Sequence, residues 1–376
     1  MLLVASVVAL VWANSPWRHA YETFVHHHLA VGTNWWRIDE SSAHWVSDVL
    51  MAVFFLGVGL EIKHEIAEGD LRDPRTAALP VFAAIGGMVL PAGIYALVNH
   101  GGVGAHGWGV PMATDIAFAL GVLAMLGPRV PRALRLFLLS LAVVDDIGAI
   151  LVIAVFYTND LAPLWLLGSL AALVALVVLR RVGVRPVSVY VVVGSVAWFC
   201  TYRSGVHATI AAVVIGLLTP VHDHSGRPVL HRIADTITPW TNLFILPLFA
   251  LVSVGVPVST AALRAAASSA VTIGVVLGLV VGKLVGVSLG VVVARRHDLH
   301  GLIRGVALGD FFGAAALSGI GFTVSLFVAE LSFHGALADD AKIGILVGSV
   351  VSALLGAVLL WPDRHGPADQ TIEEAV

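Results

Sequence analysis

The chain has 376 residues, 58% of them hydrophobic and 12% charged, with a mean hydropathy of +0.93; soluble domains average about 45–50% apolar and about 25% charged, so water is not the main solvent. A net charge of −3 supplies no bulk attraction for nucleic acid. The single cysteine, Cys200, excludes an intrachain disulfide and any CxxC metal or redox pair.

A bilayer-crossing helix takes roughly 20 mainly apolar residues. Twelve candidates follow along the chain: 1–13, 45–62, 77–98, 110–127, 133–157, 161–180, 187–202, 204–219, 240–257, 270–294, 303–330 and 340–361. The first is too short to cross as it stands. It lacks a basic leader and an obvious cleavage site, so it reads as part of a span rather than a signal peptide. The longest polar gap, 14–44, holds His26, His27, His28, Trp35, Trp36 and Arg37. The three histidines read as a solvated loop rather than a metal site. Around Gly32, residues 30–39 permit a small hairpin.

Loop Lys and Arg set orientation. Fifteen lie after even-numbered spans and in the tail: Lys63, Arg72, Arg75, Arg129, Arg132, Arg135, Arg180, Arg181, Arg185, Arg227, Arg232, Arg295, Arg296, Arg304 and Arg364. Five lie on the other side: Arg18, Arg37, Arg203, Arg264 and Lys342. The bias predicts both termini in the cytoplasm. The remaining basic residue, Lys283, falls inside a span.

Asp145 and Asp146 follow nine mainly apolar residues and precede eleven more, which places two adjacent carboxylates near the bilayer midplane. A charge there costs about 2.5–3.5 kcal/mol even on the mild insertion scale. Adjacent helix positions diverge by about 100°, so one carboxylate can face a partner while the other faces a cavity. Lys283, with twelve largely apolar residues before it and eleven after, also sits near midplane. It reads as a structural counter-ion or a snorkelling lysine, snorkelling being a long reach from the centre, and a counter-ion role does not exclude a functional one. Asp115 precedes eleven apolar residues. It reads as an ordinary N-cap, but a cap inside a span means a helix that starts inside the membrane. A second break signal, Ser318-Gly319-Ile320-Gly321-Phe322-Thr323, interrupts the eleventh span. Two interrupted spans in corresponding places of two halves point to a transport site. His207, at the start of the eighth span, reads more readily as a hydrogen-bonded core histidine than as a functional one.

At these residues the chain closely resembles the NhaA-type sodium/proton antiporters of bacterial inner membranes. The matching stretches are Phe54 to Lys63, Ala113 to Gly121, Val144 to Ile150, Ser204 to Thr209, Ile245 to Ala250 and Gly319 to Thr323. Each is short, but six in order along nearly the whole chain are highly specific. The resemblance implies an all-α membrane protein of about twelve transmembrane helices, a single transporter domain over 1–376. It implies two inverted repeats, 77–157 and 270–361, whose discontinuous fourth and eleventh spans cross near midplane. By resemblance, transported sodium binds Asp145 and Asp146 with Thr114 beside them, and Asp115 and Lys283 complete the exchange site. Lys283 pairs with the first carboxylate of the doublet. A pH-response cluster falls on Glu61, Lys63, His64 and Glu65, and His207 is added to it. The family often has arginine where His64 stands. Loop 14–44 is implied to be periplasmic, with residues 30–40 matching a hairpin that joins a homodimer. No cofactor is expected: sodium or lithium and protons are cargo, and the bilayer is the other partner.

The expected mechanism is electrogenic carrier exchange by alternating access. Sodium prefers hard oxygen ligands, and protons compete for the same carboxylates. If two protons leave per ion bound, net charge moves, and the membrane potential contributes about 2.3 kcal/mol per charge per 100 mV. The competing readings are a sodium-coupled organic solute symporter, a passive cation channel, and a membrane enzyme using the Asp145/Asp146 pair. For the enzyme, neither GxGD nor DDxxD fits Asp145-Asp146-Ile147-Gly148-Ala149. Among His64, Glu61 and Glu65, only histidine has an ordinary pKa (about 6.5) near neutrality. The spacing of Glu61 and Glu65, at i and i+4, predicts repulsion that a charged His64 between them would relieve.

Overall fold

Backbone N–H and C=O groups in hydrocarbon must find partners within the chain, and a helix provides them locally. The computed structural model is accordingly helical almost throughout. It describes residues 1–32, 37–127, 130–158, 161–184, 186–222, 226–296 and 308–361. Trp35, Trp36, Arg129, Arg185, Arg304, Arg364 and the 303–307 start of the eleventh candidate span lie outside the described residues.

The chain opens with α1 (Leu2–Ala13) and α2 (Arg18–His26), followed by two short strands, β1 (His28–Val31) and β2 (Ile38–Ser41). The strands pair antiparallel, from His28 opposite Ser41 to Val31 opposite Ile38. The all-α expectation thus holds apart from this hairpin, which reaches two residues further back than the sequence suggested. Next come α3 (Ser42–Ala67) and α4 (Pro74–Val98). A 3-10 segment, Ala105–Met112, precedes α5 (Ile116–Met125), and α6 (Arg132–Phe156) follows. After α7 (Pro163–Val182), α8 (Val187–Arg203) and α9 (Ala208–Leu218) come α10 (Val229–Ser253) and the short α11 (Thr260–Ser268). The chain closes with α12 (Ala270–Arg296), α13 (Leu308–Leu317), α14 (Phe322–Ser332) and α15 (Ala336–Leu359).

Among the described residues, seven helices are long and apolar enough to cross a membrane, or up to nine if two bent pairs count as one span each. The bends are 40° between Ala105–Met112 and α5, and 45° between α13 and α14. Three further apolar helices, α1, α8 and α9, are shorter. A long, a broken and a long helix follow one another twice, at 74–156 and at 270–359. The largest boundary difference is α10, which starts at Val229 rather than at 240. The polar sequence of its first turns and Pro239 read as a loop, yet the helix runs on through a widened π turn at Thr241–Ile245. Pro239 removes one backbone donor without stopping it.

Glycines set how closely the helices approach. Gly282, Gly286 and Gly290 recur every four residues on α12, the small-xxx-small spacing of membrane helix contacts. A Cβ on Gly286 would lie 2.2 Å from the Gly86 carbonyl oxygen, and one on Gly86 would lie 2.1 Å from that of Gly286. Here α4 and α12 meet backbone to backbone. α3 and α9 do the same at Gly59 and Gly216, where a Cβ on Gly216 would lie 2.8 Å from the Gly59 Cα. These two seams place Lys283 and the end of α3 against their neighbours.

Gly286→Val is expected to lower the thermal stability of the detergent-solubilised protein by at least about 1–3 kcal/mol, the usual cost of overpacking. Gly57→Ala, where a Cβ meets nothing within 4 Å, is expected to melt like the parent. Equal melting of both variants would contradict the close approach of α4 and α12.

Candidate functional site

The two broken helices are tied together at their breaks. Asp115 is the N-cap of α5: its Oδ1 accepts from the Phe118 N–H at 3.1 Å. Its Oδ2 accepts from the Thr323 N–H at 3.0 Å and from the Thr323 hydroxyl at 2.6 Å, at the start of α14. One carboxylate therefore caps two helix N-termini, each of which carries partial positive charge from its unpaired N–H groups. The Asp115 N–H also donates to the Ile320 carbonyl at 2.6 Å. The Ser325 hydroxyl donates to the Val110 carbonyl at 2.7 Å and closes the crossing from the other side. Several of the backbone groups released by the breaks are thus taken up across the crossing, as a site inside hydrocarbon requires.

Beside the crossing, Lys283 of α12 and Asp145 of α6 form an ion pair. Lys283 Nζ donates to Asp145 Oδ2 at 2.5 Å and to the Thr114 hydroxyl oxygen at 3.0 Å. Both charged side chains are fully buried. The Thr114 hydroxyl lies 2.6 Å from Asp145 Oδ2 and 2.9 Å from the Ser318 carbonyl, and its single proton serves one of them at a time. The turn of α12 before Lys283, Gly278–Gly282, is widened to π geometry, a distortion often found at functional positions.

Asp146, one residue along the helix, is offset from Asp145 by about 100° around the axis. It is buried, and its Oδ1 has no hydrogen-bond partner among the described residues. Asp145 Oδ1 is in the same condition. Asp146 experiences Glu61, Asp145 and Asp115 as like charges and Lys283 as the opposite one. A buried polar atom without a partner is uncommon and costly. Two such oxygens, on neighbouring residues, are suited to a small hard cation or to protons.

The remaining candidates divide. Glu61, Lys63, His64 and Glu65 lie together on the last two turns of α3. The geometry corrects the expectation that His64 separates Glu61 from Glu65. Glu65 is turned to the chain reversal after α3, where it accepts from the Asp70 N–H at 3.1 Å. His64 faces Glu68 instead, with Nδ1 3.5 Å from Oε2. His207 is not brought to this cluster. It is the N-cap residue of α9 and lies edge-on to Phe327 of α14. Gly216, which packs on Gly59 of α3, is roughly 13 Å further along α9 at 1.5 Å per residue, and the end of α3 lies beyond it. Sequence reading missed Thr323 as the second partner of Asp115. A Thr at the start of a half-helix is the only local signal, and it does not indicate a partner two hundred residues away.

Comparison with known proteins bears on this arrangement. A family model described as Na+/H+ antiporter 1 matches residues 1–360. The chain belongs to this antiporter family. It is 45% identical over 365 residues to the Na+/H+ antiporter NhaA of Escherichia coli O1:K1 / APEC, covering 95% of this chain and 93% of that protein. It is 43% identical over 370 residues to the Na+/H+ antiporter NhaA of Albidiferax ferrireducens, covering 97% and 94%. For the protein of that name from Rhodospirillum rubrum the values are 44% over 385 residues, with 98% and 96% covered. As a member of this antiporter family with many apolar helices, the chain is a multi-pass membrane protein.

Removing the Lys283 ammonium leaves Asp145 a buried carboxylate without its counter-charge, a change that typically costs about 3–5 kcal/mol. Lys283→Ala is expected to melt well below the parent in detergent, and Lys283→Arg, which keeps the charge, to fall in between. If both melted with the parent, the ion pair would not be a structural element.

Proposed function

We propose that this chain exchanges sodium for protons across a bacterial inner membrane, with Asp145 and Asp146 as the shared binding groups. The observation that carries the reading is the pair of adjacent buried carboxylates, each offering an oxygen without a hydrogen-bond partner among the described residues, beside two broken helices. The names borne by relatives over nearly the whole chain support the same activity.

Sodium or lithium binds Asp146 and the outward oxygen of Asp145. Thr114, now engaged by Lys283 and Asp145, becomes a further ligand if that ion pair opens. Protons occupy the same oxygens when the ion leaves, so the site is loaded with one or the other. Lys283 holds Asp145 when no ion does. Asp115 does not bind the ion directly; it holds the crossing in shape and adds negative potential beside Asp146. Release of two protons per sodium makes the exchange electrogenic, and alternating access carries the loaded site between the two faces.

Further features belong to the same proposal. The bent pairs, each counted as one span, and the three shorter apolar helices bring the crossings to twelve. Segments 77–157 and 270–361 form the two inverted repeats, each a long–broken–long triplet. The Lys and Arg bias places both termini in the cytoplasm. The hairpin within the periplasmic 14–44 loop joins two copies, and the Glu61–Glu65 end of α3 carries the pH response. No cofactor and no enzymatic step enter this scheme.

Sodium-induced proton movement in everted membrane vesicles is the test. The parent is expected to release protons into the medium's pH indicator on addition of sodium or lithium. Asp146→Asn, expressed and folded to the same level, is expected to abolish the response. Parent-like exchange by a purified, reconstituted Asp146→Asn protein would refute the assignment. Sodium-dependent uptake of a labelled organic solute would favour symport instead.

A further inference from the structure

The C-terminal end of α3 holds ionisable side chains that the exchange site does not use. His64 and Glu68 are at i and i+4, so they share a helix face. His231, from the first turn of α10, and His222, from the segment before it, converge on the same carboxylate. His64 Nδ1 lies 3.5 Å and His231 Nε2 3.7 Å from Glu68 Oε2, and His222 Nδ1 lies 3.9 Å from Oε1. The ligand atoms of His64, Glu68 and His231 all fall within 4.8 Å of one another. The His64 and His231 rings meet edge to face at 5.0 Å.

These distances are informative because none corresponds to a hydrogen bond, which for N–H···O runs about 2.7–3.2 Å. His64 Nδ1 is buried and has no hydrogen-bond partner among the described residues. Ligands around one tetrahedral zinc-class ion, at about 2.0–2.2 Å from the metal, stand about 3.3 Å apart. The His64 and His231 distances to Glu68 are a few tenths of an ångström wider, and all three ligand atoms lie within 4.8 Å of one another, so side-chain rotation can draw them onto one ion. Imidazole with one carboxylate suits zinc, copper, nickel or cobalt, whereas sodium, magnesium and calcium take oxygen ligands. The side chains of His231 and His222 are 45% and 50% exposed, which leaves an entry from solvent.

We propose that His64, Glu68 and His231, with water completing the coordination from the solvent side, form a site for a zinc-class divalent transition-metal ion that ties α3 to α10. The site is separate from Asp145 and Asp146 and does not depend on the exchange reading.

The test uses the full chain, purified in detergent without a polyhistidine tag and with His26, His27 and His28 replaced by alanine, so that the loop run does not compete. Cobalt(II) chloride is titrated while the visible d–d absorption is followed, and zinc chloride is titrated by calorimetry. One cobalt per chain is expected, with the intense spectrum of a tetrahedral site, displaced by zinc. Zinc is expected to raise the melting temperature of this protein, as any ligand of the folded state does. His231→Ala and Glu68→Gln are each expected to weaken binding by at least about tenfold, since even outer-shell changes cost about 10–100-fold, while melting unchanged in metal-free buffer. The proposal is overturned if the parent binds no cobalt or gives only a weak octahedral spectrum, or if both variants bind as tightly as the parent.

Discussion

A chain cannot interrupt a helix inside hydrocarbon unless the freed N–H and C=O groups find partners that water would otherwise supply. Here one carboxylate supplies much of that need. Asp115 caps α5 with one oxygen and the start of α14 with the other, and its own N–H is taken by Ile320. The crossing of the two broken helices follows from this shared cap. Lys283, Asp145 and Thr114 are arranged around it, and Thr114 reaches the end of α13 through the Ser318 carbonyl. The exchange chemistry proposed for Asp145 and Asp146 requires two carboxylates that are dry yet not fully satisfied. A framework tied together across both breaks can hold two such oxygens without unfolding.

Much of this was legible in the chain. Apolar runs of about twenty residues are a strong signal because the bilayer fixes their length, and Asp145, Asp146 and Lys283 stand out because so little else in those runs is charged. Asp115 could be recognised as a cap from the apolar run after it. Its second role could not, because Thr323 is brought to it only by the fold. Helix ends were read less well. The start of α10 is polar and carries Pro239, features that locally favour a loop, and tertiary packing overrides them. The end of α3 was read in part: i, i+4 spacing makes Glu65 a like-charged neighbour of Glu61, but it says nothing of the turn after α3, where the Asp70 N–H bonds Glu65, or of Glu68, which His64 faces. The convergence of His222 and His231 on Glu68 likewise joins segments far apart in sequence.

The glycine seams have a mechanical consequence. Between α4 and α12 the closest contact, at Gly86 and Gly286, is backbone against backbone, so a displacement at that point meets hard atoms at once. Between α4 and α6 the contact includes Met88 against Gly148, where a Cβ would lie 2.1 Å from the Met88 sulfur. An unbranched thioether with three rotatable bonds adapts readily to a shifted neighbour. The two members of the buried ion pair therefore stand on unequal ground: Lys283 rides on a helix bolted to α4, and Asp145 on one that is cushioned from it. In the exchange proposed above, separation of the pair would meet more give on the carboxylate's side than at the Gly86–Gly286 seam.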